Sequence, residues 1–290
     1  MHVLVLFGLS LIISASASVE VKTNYHDAVG IPTASKILAE EEAILAKNVE
    51  DERIVGGALA PANAYPFFGG LLISLIGGQN SVCGSSLVSH NRLVTAAHCW
   101  FDGQRQAWQF LVVLGSNSLG FGGTRIPTSH VIMHPQYHVQ SLENDVATIY
   151  LPYSIMHNAN IQPIRLPSFA ELSDPFVGRW AVAAGFGKTT DHQQGASTTV
   201  NHVALQVISN TACAAVYTTN FVKSSTLCTN GFGGVGICGG DSGGPLTLYT
   251  QQGPLLIGVS SFTERNNCQG GNPSGFARVT SFHSFISQHL

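Results

Sequence analysis

After Arg53 the chain breaks into short apolar or alternating runs, FFGGLLISLI, RLVTAAHCW, FLVVLG, DVATIYL, VNHVALQVI and LLIGVSSF among them, separated by glycine, asparagine, proline or serine. Such runs suit strands that bury one face, with tight turns between them, so this span is expected to be all-β. Helix-like spacing appears only at the end, where Val279, Phe282, Ile286 and Leu290 predict one C-terminal helix packed on the β structure. At 290 residues the chain exceeds the usual domain size, yet β barrels of about 200 to 250 residues form single units, so one domain with an extension fits.

The first residues carry an apolar run, VLVLFGLSLII, followed by Ser-Ala-Ser-Ala-Ser. This reads as a signal peptide over 1–17, too short for a membrane span. From residue 18 to Arg53 the sequence is acidic, with Glu40, Glu41, Glu42, Glu50, Asp51 and Glu52, and holds no Cys, Trp or Phe. This segment is expected to form little core. Ile37 to Lys47 is helix-compatible and is expected to be a short, marginal helix in a removable piece.

Charged residues are 10% of the chain and the formal net charge is −3. That excludes a nucleic-acid footprint or a polybasic membrane patch. Six cysteines, Cys83, Cys99, Cys213, Cys228, Cys238 and Cys268, all lie downstream of the apolar run. An even count in an exported chain predicts disulfides and an oxidising compartment, though spacing alone leaves the pairing open.

Gly239-Gly240-Asp241-Ser242-Gly243-Gly244-Pro245 is the stretch most specific to chemistry. Glycines around a serine let the backbone turn tightly and present both the hydroxyl and neighbouring N–H groups to a reacting acyl carbon. The same residues satisfy the G-x-S-x-G elbow of α/β-hydrolases, which requires an acid and then a histidine further along the chain. Beyond Ser242 there is no Asp, and 48 residues cannot hold the remaining strands and helices, so that reading fails. Upstream, Thr95-Ala96-Ala97-His98-Cys99 and Asn144-Asp145-Val146-Ala147 supply the order His, Asp, Ser used by another class of serine nucleophile.

Together with Arg53-Ile54-Val55-Gly56-Gly57 and Gly275-Phe276-Ala277-Arg278-Val279, these motifs resemble the chymotrypsin/trypsin family over the whole span from Arg53 to Leu290. The stretch GVSSFTERNNCQGGNPSGFARVT looks like insect digestive chymotrypsins and arthropod serine collagenases. The resemblance implies two six-stranded antiparallel β-barrels with a C-terminal helix, a protease domain over 54–290 and an activation propeptide over 18–53. It implies that His98, Asp145 and Ser242 form a catalytic triad and that the N–H groups of Gly240 and Ser242 form the oxyanion hole. Cleavage after Arg53 would free Ile54 as a positive terminus that inserts beside Asp241, so the uncut chain is expected to be nearly inactive. The resemblance pairs Cys83 with Cys99, Cys213 with Cys228 and Cys238 with Cys268.

By the same resemblance the floor of the substrate pocket is Gly236, with Ser274 on its wall, and Ser261-Phe262-Thr263 is the strand that pairs with substrate backbone. An uncharged pocket favours large apolar or aromatic residues before the scissile bond. Thr263 stands where many chymotrypsins have glycine and narrows the entrance, so elastase- or collagenase-like specificity is the alternative. Expected partners are polypeptide substrates, a trypsin-like activating protease and protein protease inhibitors, with the enzyme a secreted monomer. The mature span has two lysines against seven arginines and sits near neutrality, which suits an alkaline gut lumen and a digestive role.

No cofactor or metal is expected. His130, His134 and His138 lie four apart, but Pro135 breaks any helix that would gather them. Gly231, Gly233 and Gly236 match a dinucleotide fingerprint without the βαβ unit that it needs. No N-glycosylation sequon is present, and the loop 115–123 lacks acids for calcium. Two rivals remain outside digestion. A non-catalytic homologue that binds partners would normally have a substituted triad, and a cascade protease would normally carry a cysteine-stapled N-terminal module; neither mark is found here.

Overall fold

The structure, a computed structural model, describes residues 19–21, 23–47, 58–59, 64–191, 197–265 and 267–290. The expected signal peptide and the Arg53–Ile54 junction lie outside the described residues. The first strand, β1 (Ala58–Leu59), belongs to the second of two antiparallel sheets. The first sheet holds β2 (Phe68–Leu75), β3 (Asn80–Leu87), β4 (Arg92–Thr95), β5 (Ala107–Leu114), β6 (Thr124–Thr128), β7 (Val131–Met133) and β8 (Ala147–Tyr150), in the order β6-β5-β2-β3-β4-β8-β7. The second holds β9 (Trp180–Gly185), β10 (Asn201–Ile208), β11 (Thr226–Thr229), β12 (Pro245–Thr250), β13 (Gly253–Phe262) and β14 (Ser274–Arg278).

In the second sheet β9 pairs with both β10 and β12, which closes β9 to β14 into a six-stranded barrel with β1 added on β10. In the first, β6 and β7 lie at opposite ends with no pairing between them among the described residues, so this sheet is a curled half-barrel. The architecture is chymotrypsin-like. Alternate residues of β2 and β5, such as Leu71, Ile73, Phe110 and Val112, fill one core, while Leu205, Val207, Leu227, Leu246, Ile257 and Phe276 fill the other. Three disulfides join Cys83 to Cys99, Cys213 to Cys228 and Cys238 to Cys268.

The N-terminal segment differs from its expectation. Helix α1 runs Ile31–Lys47, six residues earlier than the Ile37 start the sequence suggests, and one π-helical turn, His26–Gly30, precedes it. Gly30, Thr33, Ala34, Ile37 and Glu41 form a buried stripe at i, i+3, i+4, i+7 and i+11. Ala34 and Ile37 join Phe68, Val82, Leu119, Ala184 and Phe186 in a cluster that bridges the two sheets. Burying Ile37 alone contributes on the order of 2 kcal/mol. A segment of modest propensity is helical because tertiary packing, not propensity, holds it.

Helix α2 (Asn210–Phe221) is a second departure, since its threonines and β-branched residues give no helical signal. Its Ser209 Oγ accepts the Ala212 N–H at 3.2 Å, and the Cys213–Cys228 bridge pins it to β11. At the C-terminus a 3-10 turn, Val279–Phe282, leads into α3 (His283–Gln288). Val279, Phe282 and Ile286 are buried as their spacing implies, but Leu290 lies past the helix and is exposed. No described helix is long and apolar enough to cross a membrane.

Candidate active site

The expected catalytic residues come from three loops that meet where the sheets face each other. His98 stands in a 3-10 turn, Ala97–Cys99, just after β4, and the Cys83–Cys99 bridge ties that turn to β3. Asp145 precedes β8, next to Asn144, whose φ of 57° is left-handed. Asn tolerates that region better than most residues, and the Asn144 amide donates to Gln136 O at 2.9 Å, which holds the turn. Ser242 sits in the turn before β12. Gly84 N–H donates to Ser242 O at 2.7 Å and Gly243 N–H to Ser260 O at 2.8 Å, so both sheets fix its backbone.

Asp145 accepts from three donors: the His98 backbone N–H at 2.9 Å on Oδ1, His98 Nδ1 at 2.7 Å on Oδ2, and Ser261 Oγ at 2.5 Å on Oδ2. The ladder between β13 and β14 shifts register between Ser260 and Phe262. That irregularity leaves Ser261 out of the pairing and re-aims its hydroxyl. Ser261, expected against substrate backbone, therefore braces Asp145. With Nδ1–H donated to Asp145, His98 Nε2 is the ring's free acceptor; it is buried and has no hydrogen-bond partner among the described residues.

Gly240 has φ of 111°, and a Cβ there would come within 2.9 Å of Phe186 O, so this position requires glycine. Asp241 Oδ1 accepts Gly187 N–H at 2.7 Å and Oδ2 accepts Cys238 N–H at 2.9 Å. The fit is tight, since a Cβ on Gly185 or Gly187 would lie 2.3 or 2.1 Å from its carboxylate oxygens. Burial pushes the Asp241 carboxyl up to about 6, against the pull of those two N–H groups.

A cavity of about 310 Å³ opens beside Ser242. Its wall includes Ile237, Cys238, Gly239, Phe262, Thr263 and Cys268. Gly236 and Ser274 meet each other outside that wall: a Cβ on Gly236 would stand 2.8 Å from Ser274 Oγ, which accepts the Ile237 N–H at 3.1 Å. Phe262 is buried, edge-on to the Tyr217 ring and packed over Gly275. Thr263 lies within hydrogen-bond reach of the Tyr217 phenol. Charge at the cavity comes from Lys188, Asp191, Glu264 and Arg265, which the sequence did not single out. Asp191 accepts the N–H groups of Cys268 and Gln269 at 2.8 and 2.9 Å.

The largest omission from the sequence reading is the N-terminal segment, which lies in this site. The Tyr25 ring contacts His98 and its phenol is within hydrogen-bond reach of Ser242. His26 N–H donates to Asp102 Oδ2 at 2.7 Å, and its Nδ1 pairs with Ser81 Oγ at 2.8 Å. Burial pushes the His26 imidazole down to about 4, with Asp102 opposing and His98 adding to the fall. A signal was present: Tyr25 is the sole Phe, Trp or Tyr between residues 18 and 53. The three histidines at 130, 134 and 138 go separate ways, to Tyr150, to Phe282 and Phe285, and to Ser141.

A family model described as Trypsin matches residues 54–286. A collagenase of Hypoderma lineatum is 36% identical over 241 residues, 83% of this chain and 88% of that protein. Brachyurin of Leptuca pugilator is 34% identical over 236 residues, 80% of this chain and 96% of that protein. A solved structure of HL collagenase superposes with a TM-score of 0.74 at 36% identity, over 81% of this chain and 98% of that one. The chain belongs to the trypsin family and is a chymotrypsin-like serine endopeptidase.

Proposed function

We propose that the protein is the secreted zymogen of a digestive endopeptidase, cut after Arg53, in which His98, Asp145 and Ser242 hydrolyse peptide bonds after large apolar or aromatic residues. The observation that carries this reading is the hydrogen-bonded line Ser261–Asp145–His98, which leaves Nε2, buried and without a hydrogen-bond partner among the described residues, as the ring's free proton acceptor. His98 Nε2 takes the Ser242 proton as Oγ attacks the scissile carbonyl carbon, while Asp145 holds the tautomer and stabilises the imidazolium. Gly240 and Ser242 N–H groups receive the oxyanion. The tetrahedral species collapses as His98 protonates the leaving amine, and water, deprotonated by His98, then releases the acyl group.

Activation follows from Asp241. In the uncut chain its enclosed carboxylate accepts the backbone N–H groups of Gly187 and Cys238, a costly setting for a charge. An Ile54 ammonium beside it would supply the missing counter-charge and fix the loop carrying Gly240 and Ser242. Three disulfides and the apolar leader support export. No acid stands at Gly236, which supports an apolar preference; the collagenase relative supports a second reading, in which triple-helical substrate is also cut.

The test is to cut purified zymogen with an arginine-specific protease, verify Ile54 as the new terminus, and compare anilide peptides ending in Phe, Leu, Ala and Arg. Phe or Leu turnover that appears only after the cut and is absent from Ser242→Ala is the expected result. Preference for Arg, or turnover by the Ser242→Ala protein, would overturn it.

A further inference from the structure

The N-terminal segment covers the groups to which the preceding section gives catalytic roles. Val21 pairs antiparallel with Glu264, Arg265 N–H donates to Glu20 O at 2.8 Å, and the Arg265 and Glu20 side chains form an ion pair. Val19 and Val21 pack on the cluster that contains Phe262. The chain then turns helical at Tyr25, with φ −58° and ψ −48°. The Tyr25 ring lies on His98 and its phenol donates to Val82 O at 2.7 Å. Asp27 pairs with Arg105 at 2.9 Å. Val29 lies over Gly239, where a Cβ would sit 2.9 Å from Val29 Cγ1. Further on, Glu41 is buried and accepts the Leu119 N–H at 2.8 Å, and a Cβ on Gly120 would fall 2.2 Å from Glu41 Oε2.

We propose, resting on the catalytic roles given above, that residues 19–47 are a protease inhibitor in their own right, which keeps the cleft closed after the chain is cut after Arg53. Each contact named here joins this segment to residues between Val82 and Arg265, and none passes through the Arg53–Ile54 bond. Cutting that bond leaves them all in place. With no cysteine between residues 18 and 53, no disulfide can tether the cut segment, and it can leave. Proteases take substrate as an extended strand whose backbone groups pair with the enzyme. Here the backbone pairs as a strand at Val21 and is helical from Tyr25, where the His26 N–H is given to Asp102 and the Ala28 N–H to Asn24 O, so the helical stretch offers no extended peptide to Ser242. The segment roofs the cavity beside Ser242, with Tyr25, Val29 and Pro32 on its wall, and leaves the space beneath open. Activation is thus a two-step release, in which the cut frees Ile54 and departure of the segment frees His98.

The full chain is cut with an arginine-specific protease without separating the pieces, and Phe-anilide hydrolysis is followed before and after dilution and after gel filtration, with mass analysis of what co-elutes. The expected result is that the segment co-elutes and that activity per molecule rises at least about tenfold as it is diluted away or removed. Tyr25→Ala removes the lag. Asp27→Arg weakens the block, and adding Arg105→Asp restores it, which a folding defect would not do. The inference is overturned if cut wild type turns over at the Tyr25→Ala rate at every dilution while the segment elutes separately. A stripped domain that is correctly terminated and folded yet silent would overturn the catalytic reading, and the inhibitor role with it; a stripped domain no faster than the undiluted cut chain would overturn the inhibitor role alone.

Discussion

The Tyr25 ring rests against the His98 imidazole, with centroids 4.8 Å apart and planes inclined by 59°. Together with the surrounding walls, it leaves the histidine 2% exposed. The residue to which the proposed mechanism assigns proton transfer is thereby sealed in the uncut chain. Carbethoxylation read by peptide mapping follows this directly: His98 should resist diethyl pyrocarbonate in the intact chain and react at least about tenfold faster once residues 18–53 are removed, since acylation requires access of reagent to neutral imidazole nitrogen. Equal rates in the two forms would contradict the sealing.

The Ser261 hydroxyl is placed to position Asp145, while the residue also lines the cavity beside Ser242. Its hydroxyl bond to Asp145 at 2.5 Å is charge-assisted, of a class typically contributing about 1.5 to 3 kcal/mol. Ser261→Ala is expected to lower kcat by about tenfold with KM nearly unchanged, with partial rescue by Ser261→Thr. A rise in KM at constant kcat would contradict the positioning role of the hydroxyl.

On the proposed pocket, with Gly236 as its floor, the contact between Gly236 and Ser274 governs how specificity can be rewritten. A Cβ on Gly236 would lie 2.8 Å from Ser274 Oγ, so Gly236→Asp alone is expected to impair Phe hydrolysis without creating Arg hydrolysis. Adding Ser274→Gly clears the space, and the pair should cleave after Arg. Anilide profiles of the single and double variants check this.

Asp241 makes the uncut chain sensitive to pH. Its carboxyl is raised from an ordinary 3.8 to about 6, so its contribution to stability is present below the ordinary value and lost as pH rises through about 6. Melting of the uncut wild type should therefore fall across that window relative to Asp241→Asn, whose amide takes up no proton. At mildly alkaline pH the uncut variant should be more stable by about 1 to 2 kcal/mol, allowing for partial exposure of the site. After the cut the order should reverse, because Asn offers no charge to the Ile54 amine.

Much of this was legible before any coordinates. Strand periodicity and turn residues gave the all-β class, and the lack of an Asp and of room for further elements beyond Ser242 excluded the hydrolase elbow. What escaped has physical reasons. The role of Ser261 depends on an irregular register between β13 and β14, which no residue pattern announces. Helix α2 depends on a cap and a disulfide rather than propensity. The docking of the N-terminal segment depends on surfaces supplied by both sheets: Glu41 reads as one acid among three, and only the Leu119 N–H and the space at Gly120 make it a buried one. Tyr25 and the stripe through Ala34 and Ile37 were visible, but nothing local says what they face.

The central claim, a Ser242 nucleophile activated by His98 and switched on by cleavage after Arg53, is tested most directly by covalent labelling. A fluorophosphonate phosphonylates an activated serine Oγ with loss of fluoride, and mass mapping identifies the residue. Labelling should be stoichiometric at Ser242 in the chain that begins at Ile54 once the N-terminal segment has been removed, and negligible both in the uncut chain and in His98→Ala. Label on another serine, or equal labelling of cut and uncut chains, would contradict the account.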